Sequence, residues 1–300
     1  MLFGISSFNN NLNLTIFVNL LIYLSFLLVI PVLISLVMSF IKPKLKSNSM
    51  IWLYSFSMAM FLVLGTMGFL KEGHEVIEQN YSEANHKWTT ALIMGCSSLI
   101  GLSLLIGWRY LSISKHKGHI HKHHAQHNHS DHIINFSEID NPKAAWTAIM
   151  MLMSHRLVGG ITLGMSVYHM TNEGYASLDI GLILTFNLHI IIETITIFYR
   201  QVQYGQTKAK ATLYNFYTLL TIVPLMFIGA FSAQYIYSIP WLLASMDTIA
   251  GVIILFTAIF ELVPEVIHIR NEKPKVLYMT FIMFALGIVF TIVLLSFHSH

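Results

Sequence analysis

A histidine and a glutamate stand four residues apart within a long apolar segment of the sequence, at His189 and Glu193. On an α-helix this spacing places both side chains on the same face, one turn apart. Imidazole nitrogen and carboxylate oxygen are both ligands that zinc accepts. The pair is therefore a candidate half of a zinc site, although a hydrogen-bonded pair that only joins two helices has the same spacing.

His155 is a third candidate ligand, and it stands beside Arg156 in the preceding apolar segment. An ionisable side chain in a segment of membrane length is a candidate for function, because placing it in lipid costs ~2.5–3.5 kcal/mol or more. A partner helix can approach closely at three glycines that follow, Gly159, Gly160 and Gly164. If that partner carries the first pair, the three candidate ligands converge.

Half of the 16 histidines lie in one short polar stretch. They are His116, His119, His121, His123, His124, His127, His129 and His132. Neutral imidazoles bind zinc, copper or nickel, and dense histidines without a fixed spacing indicate a labile site for several ions. Residues 114–143 are also too few and too polar to form a hydrophobic core, so we expect a metal-binding loop there.

Acidic residues occur in two further settings. Glu72, His74 and Glu75 are expected in a short loop, where they would raise the local concentration of cations at an entrance. A solvated acidic loop without a function explains them equally well. Asp179 and Asp247 stand near the ends of apolar segments, and we interpret them as helix-start carboxylates that the helix dipole favours.

The composition indicates that lipid surrounds most of the chain. Only 10% of its 300 residues are charged and 55% are hydrophobic, with a mean hydropathy of +0.65, whereas a soluble domain has roughly 25% charged residues. We expect an all-α integral membrane protein, because each spanning segment must satisfy its own backbone hydrogen bonds. Eight runs reach the length of ~20 residues that a span needs: 12–41, 50–70, 89–113, 144–169, 177–200, 211–236, 241–268 and 275–297.

Basic residues predict the orientation of these eight transmembrane helices. All 17 lysines and arginines except Lys71, Lys87 and Arg156 fall in the connections on one side or in the span ends that flank them. By the positive-inside rule both termini lie outside (N-out/C-out), and the histidine-rich loop between helices 3 and 4 is cytoplasmic. The chain then divides into spans 1–3 (1–113), the loop (114–143) and spans 4–8 (144–300).

Four segments resemble, in order, the motifs of the ZIP (ZRT/IRT-like) family of metal transporters. They are residues 155–160, 189–194, 224–229 and 261–265. The first matches the family's H-N-x-P-E/D-G at His155 and Gly160, and the second matches H-E/N-x-P-E-G at His189 and Glu193. The last resembles E-L-L-P-E. The eight spans, the outward termini and the histidine-rich loop agree with the same family.

The resemblance implies one metal site formed by His155, His189 and Glu193. The family holds a second metal ion beside the first, but Arg156 and Ile190 replace ligands of that second ion here. Our hypothesis is that the Arg156 cation takes the place of the second metal and pairs with Glu193. A charged arginine within lipid needs such a partner.

These observations predict a transporter, not an enzyme, that moves zinc or a related divalent transition metal into the cytoplasm. The alternative is a membrane metal binder or sensor that does not transport. A cation-diffusion exporter usually has six spans and a soluble C-terminal domain, and an intramembrane hydrolase needs a spare carboxylate as general base, so both fit less well. We expect a multi-pass protein of a bacterial plasma membrane. Its small residues permit a homodimer, and its scattered basic residues exclude nucleic acid as a partner.

Overall fold

The described part of the computed structural model consists of helices and their connections, without a β-strand. It covers residues 2–38, 40, 47–114, 142–174, 180–203, 205–262 and 273–296. The helices are α1 (Leu12–Met38), α2 (Ser47–Val63), α3 (Lys71–Asn80), α4 (Glu83–Ser114), α5 (Pro142–Asn172), α6 (Ile180–Gln203), α7 (Lys208–Leu220), α8 (Ile222–Ile236), α9 (Pro240–Thr257) and α10 (Pro274–Ser296). π-Helical segments join α2 to α3 (Leu64–Leu70) and extend α9 (Ala258–Leu262).

Six helical stretches are long and apolar enough to cross a membrane. They are Leu12–Met38, Asn48–Asn80, Lys87–Gly107, Lys208–Ile236, Pro240–Phe260 and Pro274–Ser296. A shorter apolar helix, Ile183–Tyr199, lies within α6. The expected all-α class is thus confirmed, while the count of eight spans and their orientation stay predictions.

Glu72, His74 and Glu75 lie on helix α3, so the expectation of a loop at these residues is wrong. The π-helical segment carries the chain from α2 into α3 without a break. Lys71 Nζ lies 3.0 Å from Glu75 Oε1, and this pair of opposite charges four residues apart stabilises α3. His74 Nδ1 lies 3.8 Å from Glu78 Oε2 with the same spacing. Hydropathy does not detect a polar helix that continues an apolar one.

The predicted span 211–236 consists of two helices, α7 and α8, which meet at Thr221. Pro224 lies in the first turn of α8 and has no N–H to donate to the carbonyl group of Leu220. The interruption is short, because the Thr221 N–H still donates to the Tyr217 carbonyl oxygen at 3.2 Å. The chain therefore keeps its direction through the break and presents side chains of α7 to the helices beside it.

The helix that approaches the glycines of α5 is α8. A Cβ atom at Gly160 would lie 2.9 Å from Leu225 Cβ, and one at Gly164 would overlap the Met226 carbonyl oxygen. On the facing helix, a Cβ at Gly229 would overlap the carbonyl oxygen of Ile161. The partner helix at Gly160 and Gly164 is therefore α8 and not α6, the helix that carries His189 and Glu193. Helix α6 meets α5 elsewhere, through charged side chains.

Two hydrophobic clusters lie on either side of α6. The first joins α1, α5, α7 and α8 around residues such as Tyr23 and Met226, and it includes Ile190 of α6. The second joins α2, α9 and α10 around residues such as Tyr54, and Ile192 of α6 packs against it. Any polar group that α6 carries between these clusters is consequently held in an apolar surrounding.

Candidate metal and ion-pair site

Arg156 of α5 and Glu193 of α6 form an ion pair inside the helical bundle. The Arg156 Nε–H donates to Glu193 Oε1 at 2.9 Å. The residues are 2% and 0% exposed, so water does not screen the two charges. The pairing expected from the sequence is confirmed, and its role in place of a second metal ion stays a prediction.

Helix α7 provides a second hydrogen-bond acceptor for the Arg156 guanidinium. Arg156 Nη1 donates to Thr218 Oγ1 at 2.5 Å, and the Thr218 hydroxyl donates to the Asn215 carbonyl oxygen at 2.9 Å. The Asn215 side chain in turn donates to the Thr194 carbonyl oxygen at 3.3 Å. These bonds tie α7 to both helices of the ion pair. The sequence offers no signal for Thr218 or Asn215, since such residues are common in helices.

His189 stands next to the other carboxylate oxygen of Glu193. Its Nε2 lies 3.8 Å from Glu193 Oε2, which is too long for a hydrogen bond. Two ligands of a tetrahedral zinc ion, with bonds of ~2.0–2.2 Å, are ~3.4 Å apart. Glu193 Oε2 is buried and accepts no hydrogen bond in the described part of the chain. The two atoms are thus close to the separation that a shared zinc ion requires.

A cavity of about 130 Å³ adjoins this site. Arg156 and His189 line it together with apolar side chains, and Glu72 of α3 lines it as well. The hydroxyl-bearing residues of the lining are Thr162, Ser166 and Thr185. The volume suffices for several water molecules or a partly hydrated ion. The cavity therefore connects the buried Arg156 and His189 with Glu72, an acidic residue that the sequence predicts to lie at an entrance.

Several predicted ligands lie outside the described residues. His155 belongs to α5, but its side chain is outside, as are the side chain of Glu261, the whole of Glu265 and Asp179, and all eight loop histidines. Within the described ranges, no group of three or more His, Cys, Asp and Glu residues could hold a metal ion. The structure brings His189 and Glu193 together, and the three-ligand site with His155 stays a prediction.

Comparison of the chain with protein-family models and with curated proteins finds no match. The likeness to ZIP transporters accordingly rests on the amino-acid sequence alone.

Proposed function

We propose that the chain transports zinc, or a related divalent transition metal, into the cytoplasm through a site between α5 and α6. The single observation that carries the proposal is the buried oxygen Glu193 Oε2, which accepts no hydrogen bond in the described ranges and lies 3.8 Å from His189 Nε2. A buried acceptor of this kind is costly to leave unsatisfied. A zinc ion bound by both atoms, with His155 as the third ligand, would satisfy it.

Arg156 makes a single metal ion sufficient in this proposal. Its guanidinium binds Glu193 Oε1 and leaves Oε2 for the metal, so one carboxylate serves both cations. The positive charge also lowers the affinity for a divalent cation beside it, by simple Coulomb repulsion. Weak binding suits a transport site, because the ion must leave as readily as it enters.

The proposed path requires α5 and α6 to be spans in addition to the six apolar stretches. That gives the eight transmembrane helices and outward termini predicted from the sequence. Metal would enter past Glu72, which lines the cavity, and would leave toward the cytoplasmic histidine-rich loop. There the imidazoles of residues such as His121 and His124 would receive it.

A metal sensor without transport is the second candidate, and the ion pair favours it. Arg156 already gives Glu193 a partner at 2.9 Å, so the helices hold together without a metal ion. In that case zinc would bind His189 and change the packing of α5 against α6 without crossing the membrane. Zinc that binds stoichiometrically but does not cross the membrane would identify this candidate.

Zinc influx into liposomes that contain the purified chain tests the transport proposal. We expect zinc to reach an enclosed fluorescent zinc indicator faster than in protein-free liposomes, and the rate to saturate with zinc concentration. Influx equal to that of the protein-free liposomes, measured on protein that is folded and inserted, would overturn the proposal.

A further inference from the structure

Asp247 is buried in the interior of α9. The helix begins at Pro240, so Asp247 lies two turns inside it, and the residue is 1% exposed. The interpretation of Asp247 as a helix-start carboxylate is therefore wrong, since the helix dipole acts within the first turn. Neither of its carboxylate oxygens has a hydrogen-bond partner in the described part of the chain.

A second acid, Glu72, lies close to Asp247 where α3 crosses α9. The two helices touch beside Glu72: a Cβ atom on Gly73 would lie 3.0 Å from the Ala244 carbonyl oxygen and 3.5 Å from Asp247 Cβ. The negative charge of Glu72 repels the ionised carboxylate of Asp247. Glu72 also lines the cavity that His189 lines, so the neighbourhood of Asp247 borders that cavity through Glu72.

Tyr237, just after α8, packs against Tyr168 and His169 of α5, with ring centroids 6.4 and 6.0 Å apart. Burial, followed by the charges of Glu72 and Asp247, raises the pKa of Tyr237 to about 12. Its hydroxyl group therefore stays protonated at neutral pH and can donate a hydrogen bond. Tyr168 of α5 also contributes to the raised pKa of Tyr237.

The other charges of α3 are engaged elsewhere. They form two pairs on the helix surface, Lys71 with Glu75 and His74 with Glu78. Arg156 of α5 is bound to Glu193, and His169 near the end of α5 is exposed. Among the described residues no lysine or arginine forms an ion pair with Asp247. The buried acid is thus left with another acid and a tyrosine.

Two neighbouring carboxylates in an apolar surrounding are not both ionised unless a cation joins them. A bound zinc ion needs about four ligands, whereas one proton needs only the two carboxyl groups. The described residues here supply the two acids and Tyr237, and no third His, Cys, Asp or Glu. The site therefore suits a proton better than a metal ion.

We propose that Asp247 and Glu72 form a proton-binding site beside the cavity, where α3 crosses α9. The Asp247 carboxyl group carries the proton, and the negative charge of Glu72 stabilises the proton there. If the transport function proposed above holds, a divalent cation passing Glu72 displaces this proton to the solution, which couples metal entry to proton release. The proton site itself does not depend on transport.

Infrared spectroscopy of the full chain in lipid, without metal, tests the site. At neutral pH we expect a carbonyl band of a protonated carboxylic acid that shifts in D₂O and is lost in Asp247→Asn. The band should persist in Glu78→Gln, which removes an acid whose side chain is 53% exposed on the same helix as Glu72. In Glu72→Gln the band should disappear at lower pH than in the wild type, because a neighbouring negative charge is gone.

The same band in wild type and Asp247→Asn, or no such band at neutral pH, would overturn the proton site. Because no metal is present, this result is independent of zinc influx. The infrared band and the zinc influx therefore distinguish failure of the proton site from failure of the transport proposal.

Discussion

Replacement of Gly164 by alanine is expected to lower the free energy of unfolding by ~3 kcal/mol or more. The added Cβ would overlap the Met226 carbonyl oxygen and lie 2.8 Å from the Ala230 nitrogen. These are backbone atoms of α8, so no side chain can rotate away, and α5 and α8 must separate. Unfolding in detergent by titration with sodium dodecyl sulfate, followed by tryptophan fluorescence, measures the change.

Gly159→Ala is the matched control on the same helix. A Cβ atom at Gly159 would meet nothing within 4 Å among the described residues, and alanine favours a helix over glycine by ~1 kcal/mol. We expect this variant to be as stable as the wild type or slightly more stable. Equal stability of Gly164→Ala and Gly159→Ala would contradict the close packing of α5 against α8.

Removal of one partner of the Arg156–Glu193 pair is expected to destabilise the bundle by ~3–5 kcal/mol. Arg156→Leu leaves the Glu193 carboxylate buried, and Glu193→Leu leaves the guanidinium with Thr218 as its hydrogen-bond acceptor. The double variant Arg156→Leu/Glu193→Leu should recover most of the loss, since it leaves no buried charge. The same unfolding titration on the four proteins gives the coupling energy.

A coupling energy close to zero would contradict the buried ion pair. Lys71→Leu/Glu75→Leu provides a comparison, because that pair joins side chains that are 61% and 46% exposed. Exposed pairs four residues apart on a helix contribute only a few tenths of a kcal/mol. The contrast separates the effect of burial from that of charge alone.

The site residues that the sequence predicts are those whose side chains are costly to place in lipid. His189 and Glu193 share a helical face through their spacing, and Arg156 needs an anion because it stands in an apolar segment. Physical reasoning thus predicts which groups meet. The hydrogen bonds from Thr218 and Asn215 do not follow, because small polar residues satisfy their own helix backbone as readily as a neighbour.

The errors in the sequence-based expectations have one common cause. Hydropathy shows how long an apolar segment is, but it does not show where a helix begins or ends. Helix α3 is polar and continues from an apolar helix, so Glu72 is expected in a loop. Asp247 is expected near a helix start, because an acid inside a span is otherwise unusual. Both residues belong to the pair for which a proton site is proposed, where an acid breaks the apolar pattern.

In the proposed transport function, the metal ion passes through the site of His189 and Glu193. Zinc influx into liposomes is compared for the wild type, His189→Gln and His169→Gln, the last of which replaces an exposed histidine of α5. Loss of a ligand should reduce the rate by ~10-fold or more in His189→Gln, while His169→Gln matches the wild type. Wild-type influx that persists in folded His189→Gln would contradict the claim and place the path of the metal elsewhere.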